Sequence, residues 1–187
     1  IICIQESKAN IDQIDINSFI DNGYHNYWHS AQKKGYSGVG IATKQKPLHV
    51  EYGCGIESID NEGRILRADF EGFSVMSVYV PSASNIDRLG FKMQFCYDFL
   101  SYIKILRQTI PNLIICGDFN AEVTWHGVKE FAEIYHYVIL PTTVTWFGKR
   151  NGETCIDYIF SKYETKPHYY HIITDTFGVP YLSDHYP

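Results

Sequence analysis

Short apolar runs separated by glycines and polar turns dominate the first eighty residues. The opening Ile1-Ile2-Cys3-Ile4-Gln5 reads as a buried strand that ends at Glu6. Residues 11–20 carry apolar positions at near-helical spacing, and Gly23 follows as a stop. Strand-like pieces at 24–28, 39–43 and 48–56 come next, punctuated by Gly35, Gly38, Gly53 and Gly55. Residues 64–70 and 73–80 form a hairpin pattern around Glu71-Gly72. The period then changes. Between 87 and 108, Phe95, Phe99, Ile103 and Leu106 fall on one helical face, and Pro111 ends the helix. A buried strand at 113–116, a shorter helix at 128–135 and strands at 144–147, 155–160 and 169–174 complete the pattern. Two runs of mostly non-parallel strands with a long helix between them predict a layered α/β sandwich built as one domain over residues 1–187.

Composition narrows the class. With 187 residues and 45% of them hydrophobic, the chain can bury a sizeable core. Charged residues are spread without long like-sign blocks, which argues against disorder. The net charge of -5 argues against grip on nucleic acid by blanket phosphate neutralisation, yet carboxylates that hold a metal also count as negative. The five cysteines show no C-x-x-C spacing and read as buried, reduced thiols. No run is apolar enough to cross a membrane, and no signal peptide is visible; a cytoplasmic monomer is expected. Because the chain starts on Ile1 inside a strand-like run and stops at Pro187 directly after a motif, both ends read as cut.

Three clusters put acidic or imidazole groups directly after apolar runs: Gln5-Glu6, Gly117-Asp118-Phe119-Asn120 and Ser183-Asp184-His185. Strand-end loops on a rigid sheet are where catalytic groups commonly sit. Brought to one edge, they would form an oxygen-rich site with one imidazole, which suits Mg²⁺ or Mn²⁺ better than zinc. Singly, each is an ordinary strand end or Asx turn; the order of the three carries the signal.

That order resembles the endonuclease/exonuclease/phosphatase superfamily, and within it the exonuclease III-like AP endonucleases. The matching segments are IICIQESKA, GYSGVGIATKQKP, DNEGRILRADF, SVYVPSAS, LIICGDFN, CIDYIF and LSDHYP. DNEGR followed by SVYVP points to the exonuclease III branch, whereas GDFN and SDH are shared by the whole superfamily. The resemblance implies a DNase I-like, four-layered α/β/β/α sandwich lacking its terminal strands, and an Mg²⁺-dependent (or Mn²⁺-dependent) enzyme cleaving DNA. It assigns Glu6 and Asp184 to the metal, Tyr79 and Asn120 to the scissile phosphate, and Asp118 to the attacking water. His185 would bond a phosphate oxygen or that water, with Asp157 orienting its ring, and Lys8 would stand just behind Glu6.

Arg88 and Lys92, after the YVP loop, are candidates for the DNA backbone or for a solvated helix face. Lys149 and Arg150 lie where the resemblance places a DNA-contacting loop. Trp125-His126 reads as a turn packed on the core edge rather than a substrate contact. Three departures stand out: the Asn-bearing strand that opens the family pattern is absent, the stretch after Asn120 is short, and the pocket tryptophan is replaced within 151–155. A snug abasic pocket is therefore not implied. The shortened second half is closer to retroelement endonucleases; a superfamily phosphodiesterase or phosphatase on another substrate, such as RNA or a phosphoinositide, which the negative net charge keeps open, stands as the alternative, and a non-catalytic remnant as the reading from another class.

Overall fold

The computed structural model describes residues 1–122, 124–135, 137–140, 145–148, 152–162 and 185. Eleven strands and four helices follow the order β1 (Ile2–Gln5), α1 (Ile16–Asp21), β2 (His25–His29), β3 (Val39–Thr43), β4 (His49–Tyr52), α2 (Glu57–Asp60), β5 (Ile65–Phe70), β6 (Phe73–Tyr79), α3 (Ile86–Leu106), β7 (Leu113–Asp118), α4 (His126–Tyr135), β8 (Tyr137–Leu140), β9 (Trp146–Gly148), β10 (Gly152–Thr154) and β11 (Asp157–Lys162), counted among the described residues. They build a six-stranded sheet in the order β4-β5-β6-β7-β11-β8, a three-stranded sheet β1-β3-β2 and a small β9-β10 pair.

The two large sheets are layered as the alternation of their strands requires. Leu66, Ala68 and Phe70 of β5, with Val75 and Tyr79 of β6, meet Val39 and Ile41 of the smaller sheet in one core. The alternate residues Ile65, Met76, Val78 and Ile115 face the other way, into a second core closed by Phe95, Phe99 and Ile103 of α3 and Phe131 of α4. On the outer face of the small sheet, Phe19 of α1 packs edge-on against Trp28 of β2, with ring centroids 5.5 Å apart. The layers run α, β, β, α, the sandwich the sequence pointed to.

Four expectations change. The helix expected over 11–20 is a 3-10 turn, Ile11–Gln13, followed by α1, because Asp15 accepts bonds from the Ser18 amide and hydroxyl and caps a fresh helix. The strand expected over 48–56 stops at Tyr52, where Asp60 binds the Cys54 and Gly55 amides and folds the chain into α2. Strands β8 and β10 were not foreseen. The cysteines are free thiols, as expected, but half-buried rather than sealed in the core. The strand expected over 169–174 lies outside the described residues.

Candidate active site

Strand register builds the site. Strand β6 pairs parallel to β7 with Tyr79 beside Asp118, and β11 pairs antiparallel to β7 with Asp157 opposite Asp118. Three strands, each about forty residues of chain from the next, thus end in one row of side chains. Backbone bonds stitch that row: Val80 N–H to the Asp118 carbonyl at 2.8 Å and Phe119 N–H to the Ile156 carbonyl at 2.8 Å. Gly117 permits the close approach of β6 and β7, since a Cβ there would meet the Val78 carbonyl oxygen at 1.8 Å.

Two like charges directly opposite on a ladder repel unless something lies between them. Here it is the His185 imidazole, held by a β-bridge to Trp146. Its Nδ1 lies 2.8 Å from Asp157 Oδ2 and its Nε2 lies 3.8 Å from Asp118 Oδ2. Asp157 is in turn fixed through Thr145, whose hydroxyl oxygen accepts the amides of both Ile156 and Asp157 at 3.0 and 3.1 Å. Thr145 carried no signal of this role in the sequence.

Burial first, then the facing Asp157 and Glu6, pushes the Asp118 carboxyl up to about 7, against the lowering pull of His185 and the Asn120 amide. The Asn120 amide N–H bonds Asp118 Oδ1 at 2.7 Å, and its side-chain amide donates to the Val80 carbonyl at 2.9 Å and to Asp118 Oδ2 at 3.2 Å. Asn120 itself is left-handed, with φ +50°, a conformation asparagine tolerates better than most residues.

Glu6 enters from the other sheet, directly after β1, with φ +54°. Its partners are Lys8 Nζ at 2.9 Å and the Tyr79 phenol. Burial, with the charges of Glu6 and Asp118, drives the Tyr79 phenol well above its ordinary range, so it stays a neutral O–H donor at physiological pH.

A cleft of about 390 Å³ opens beside Glu6 and Tyr79, walled by Tyr36, Glu62, Arg64 and Arg88 among others. This wall explains the DNEGR motif. Arg64 is 1% exposed. It donates to Glu62 at 2.6 Å, to the Tyr79 carbonyl at 2.9 Å and to the Tyr36 hydroxyl at 3.0 Å, and lies 4.8 Å from the Tyr79 ring centroid. Burial works to raise the Glu62 carboxyl, but bonds and charges from Arg88 and Arg64 outweigh it and hold the group low.

The structure therefore brings Glu6, Lys8, Tyr79, Asp118, Asn120, Asp157 and His185 into one neighbourhood. Arg88 sits at the cleft but is paired with Glu62 at 3.3 Å. Lys92 is neither a solvated nor a surface-contacting residue: it is 4% exposed, because α3 turns that side toward the sheet. Trp125 packs against the helix-side core, as expected. Asp184, Lys149 and Arg150 lie outside the described residues.

The donors fit a hard divalent cation. Asp118, Asp157 and His185 offer ligand atoms all within 4.8 Å of one another, among the described residues. Glu6 adds a third carboxylate whose charge Asp118 feels. Such an oxygen-rich set with one nitrogen suits magnesium or manganese, and a dication would relieve the repulsion that raises Asp118.

Comparison with known proteins places this geometry. The exodeoxyribonuclease of Bacillus subtilis is 46% identical over 121 residues, 64% of this chain and 46% of that protein. The DNA-(apurinic or apyrimidinic site) endonuclease of Dictyostelium discoideum is 34% identical over 132 residues, 69% of this chain and 36% of that protein. The chain spans less than half the length of both relatives. A Neisseria 3′ phosphatase bound to a product DNA hairpin shares the fold, with a TM-score of 0.84 at 20% identity over 98% of this chain and 85% of that one. These are the exonuclease and AP endonuclease relatives that the sequence resembles. Residues 1–185 match the Endonuclease/Exonuclease/phosphatase family, and the chain belongs to that family.

Proposed function

We propose that the chain is a metal-dependent phosphodiesterase that cuts DNA, in the manner of an AP endonuclease or 3′-exonuclease. The observation that carries this reading is the Tyr79–Asp118–Asp157 row capped by His185, which sets a base, a neutral donor and an oriented imidazole at one level. Relatives named as an exodeoxyribonuclease and as a DNA-(apurinic or apyrimidinic site) endonuclease support DNA as the substrate.

Each role follows from the geometry. Asp118, with a carboxyl raised to about 7, is poised to orient and deprotonate a water near neutral pH. Asp157 fixes the His185 ring through Nδ1 and so turns Nε2 toward Asp118, on the side of the water or phosphate oxygen it would meet. Tyr79 supplies an uncharged O–H to a phosphate oxygen. Both side-chain N–H bonds of Asn120 are already engaged, so its work in this arrangement is to hold Asp118. Of the groups that fit a cation, Glu6, with Asp184, would hold Mg²⁺ or Mn²⁺, leaving Asp118, Asp157 and His185 to the roles above; when bound, the ion neutralises phosphate charge and polarises the water.

The test offers duplex DNA with a single abasic site, undamaged duplex and RNA, each with Mg²⁺ or EDTA. Incision of DNA that needs the metal and disappears in His185→Ala is the expected result. Preferential cleavage of RNA would move the substrate class, and no cleavage of any substrate would overturn the reading.

A further inference from the structure

Helix α3 turns one charged side chain inward. Lys92 lies in the buried stripe with Phe95, Phe99 and Ile103. Its ammonium donates to the Asn120 carbonyl at 2.6 Å and stands 5.0 Å from the centre of the Trp125 ring. None of the ion pairs among the described residues includes it. A buried ammonium without a paired carboxylate is costly, and an apolar side chain of similar length would fill the same space more cheaply. What a lysine contributes here, and methionine does not, is a donor and a positive charge directed at the Asp118–Asn120 turn.

That turn is pinned from both ends. The Asn120 N–H is held by Asp118 and its carbonyl by Lys92, while the residue sits at φ +50°. Release of the carbonyl would let the left-handed residue relax, and Asp118 would lose its fixed relation to His185. The same cation lies close enough to interact with the Asp118 charge.

We propose that Lys92 is a positioning residue for the reaction: it clamps the Asn120 carbonyl and so fixes Asp118 from behind, without touching the substrate. This inference rests on the hydrolase reading above. It is distinct from the backbone-contact role that the position of Lys92 in the sequence suggested.

Lys92→Met decides between these roles. The expected result is a fall in kcat of roughly 10- to 100-fold, the cost of a small misplacement at a reacting group. KM for the abasic duplex, and its dependence on salt, should stay within about twofold, because no phosphate contact is lost. Melting temperature should hold or rise, while amide exchange over residues 119–121 speeds up. Lys92→Arg, which keeps the cation, should recover part of the rate. Should Lys92→Met fail to fold, Lys92→Leu, which also drops both the donor and the charge, is read the same way. A raised KM with a flatter salt dependence and an intact kcat would assign Lys92 to the DNA instead. A lower melting temperature with unchanged kcat and exchange would reduce it to packing; either result overturns the proposal. If the wild-type protein cleaves nothing, the functional reading fails, and amide exchange alone then decides whether Lys92 clamps the turn.

Discussion

Asp118→Asn should make the metal-free protein more stable at neutral and alkaline pH while destroying its activity. The folded carboxyl keeps its proton up to about pH 7, whereas in the unfolded chain it ionises near 3.8. Between those values folding takes up a proton, so stability contributed by the protonated acid is complete below 3.8 and drains away as pH rises toward 7. The interval from 3.8 to about 7, at about 1.4 kcal/mol per pH unit, corresponds to a penalty on the order of 4 kcal/mol above pH 7. Asparagine carries no charge and escapes that penalty. It keeps an oxygen for the Asn120 amide but gives up the 3.2 Å bond from the Asn120 side chain, at about 1 kcal/mol. The net gain is about 3 kcal/mol at pH 8. Denaturation of both proteins in EDTA at pH 4, 6 and 8 measures it. The gap should be absent or slightly negative at pH 4 and widen with pH, reaching roughly 5–10 °C in melting temperature for a chain of this length. Saturating Mg²⁺ should narrow it again by stabilising only the wild type. A gap that stays flat across this range, or a variant less stable at pH 8, would show that Asp118 is not held as a strained acid.

Tyr79→Phe keeps the ring packed under Arg64 and removes only the donor, so kcat should drop roughly 10²-fold with stability changed by no more than about 1 kcal/mol; single-turnover rates and melting curves check the two halves. Asp157→Asn should cost roughly 10²- to 10⁴-fold in kcat by releasing the His185 ring, and should also shift the acidic limb of the pH–rate profile downward, because Asp157 is one of the charges that raise Asp118. Glu62→Gln leaves the buried Arg64 with a weakened partner and should destabilise the fold by about 3 kcal/mol, measured by urea denaturation. Titration with Mg²⁺ or Mn²⁺ should raise the melting temperature saturably, by the equivalent of about 2.7 kcal/mol at a hundred times Kd, and the gain should vanish in Glu6→Gln if Glu6 holds the ion.

The strand and helix periods were legible because they are local. Val39–Thr43, the β5–β6 hairpin and the apolar face of α3 were each set by spacing within a dozen residues. The break between the 3-10 turn and α1 was legible too, in the Asp15-x-x-Ser18 cap, but the regular spacing of isoleucines masked it. That Glu6, the Asp118–Asn120 turn and His185 would come together could be read from their motifs, each of which ends an apolar run, whereas Tyr79 and Asp157 entered only through the family resemblance. Register could not be read. That Tyr79, Asp118 and Asp157 stand level depends on pairings between strands some forty residues apart, and nothing near any of the three encodes it. Buried charge was equally hidden. Arg64 and Lys92 look like surface residues in one dimension and are buried only once Tyr36, Glu62 and Tyr79 gather around the first and Asn120 and Trp125 around the second.

The row Tyr79–Asp118–Asp157 closes three interior strands of the six-stranded sheet, and Tyr79 also belongs to the core between the two sheets. These three side chains therefore sit in the part of the molecule expected to open last. Their amides should exchange only through global unfolding, with no separate low-energy opening of their own. On the DNA-cleaving reading proposed above, adjustment to a bulky polymer would then fall to what surrounds the row, or to the polymer itself.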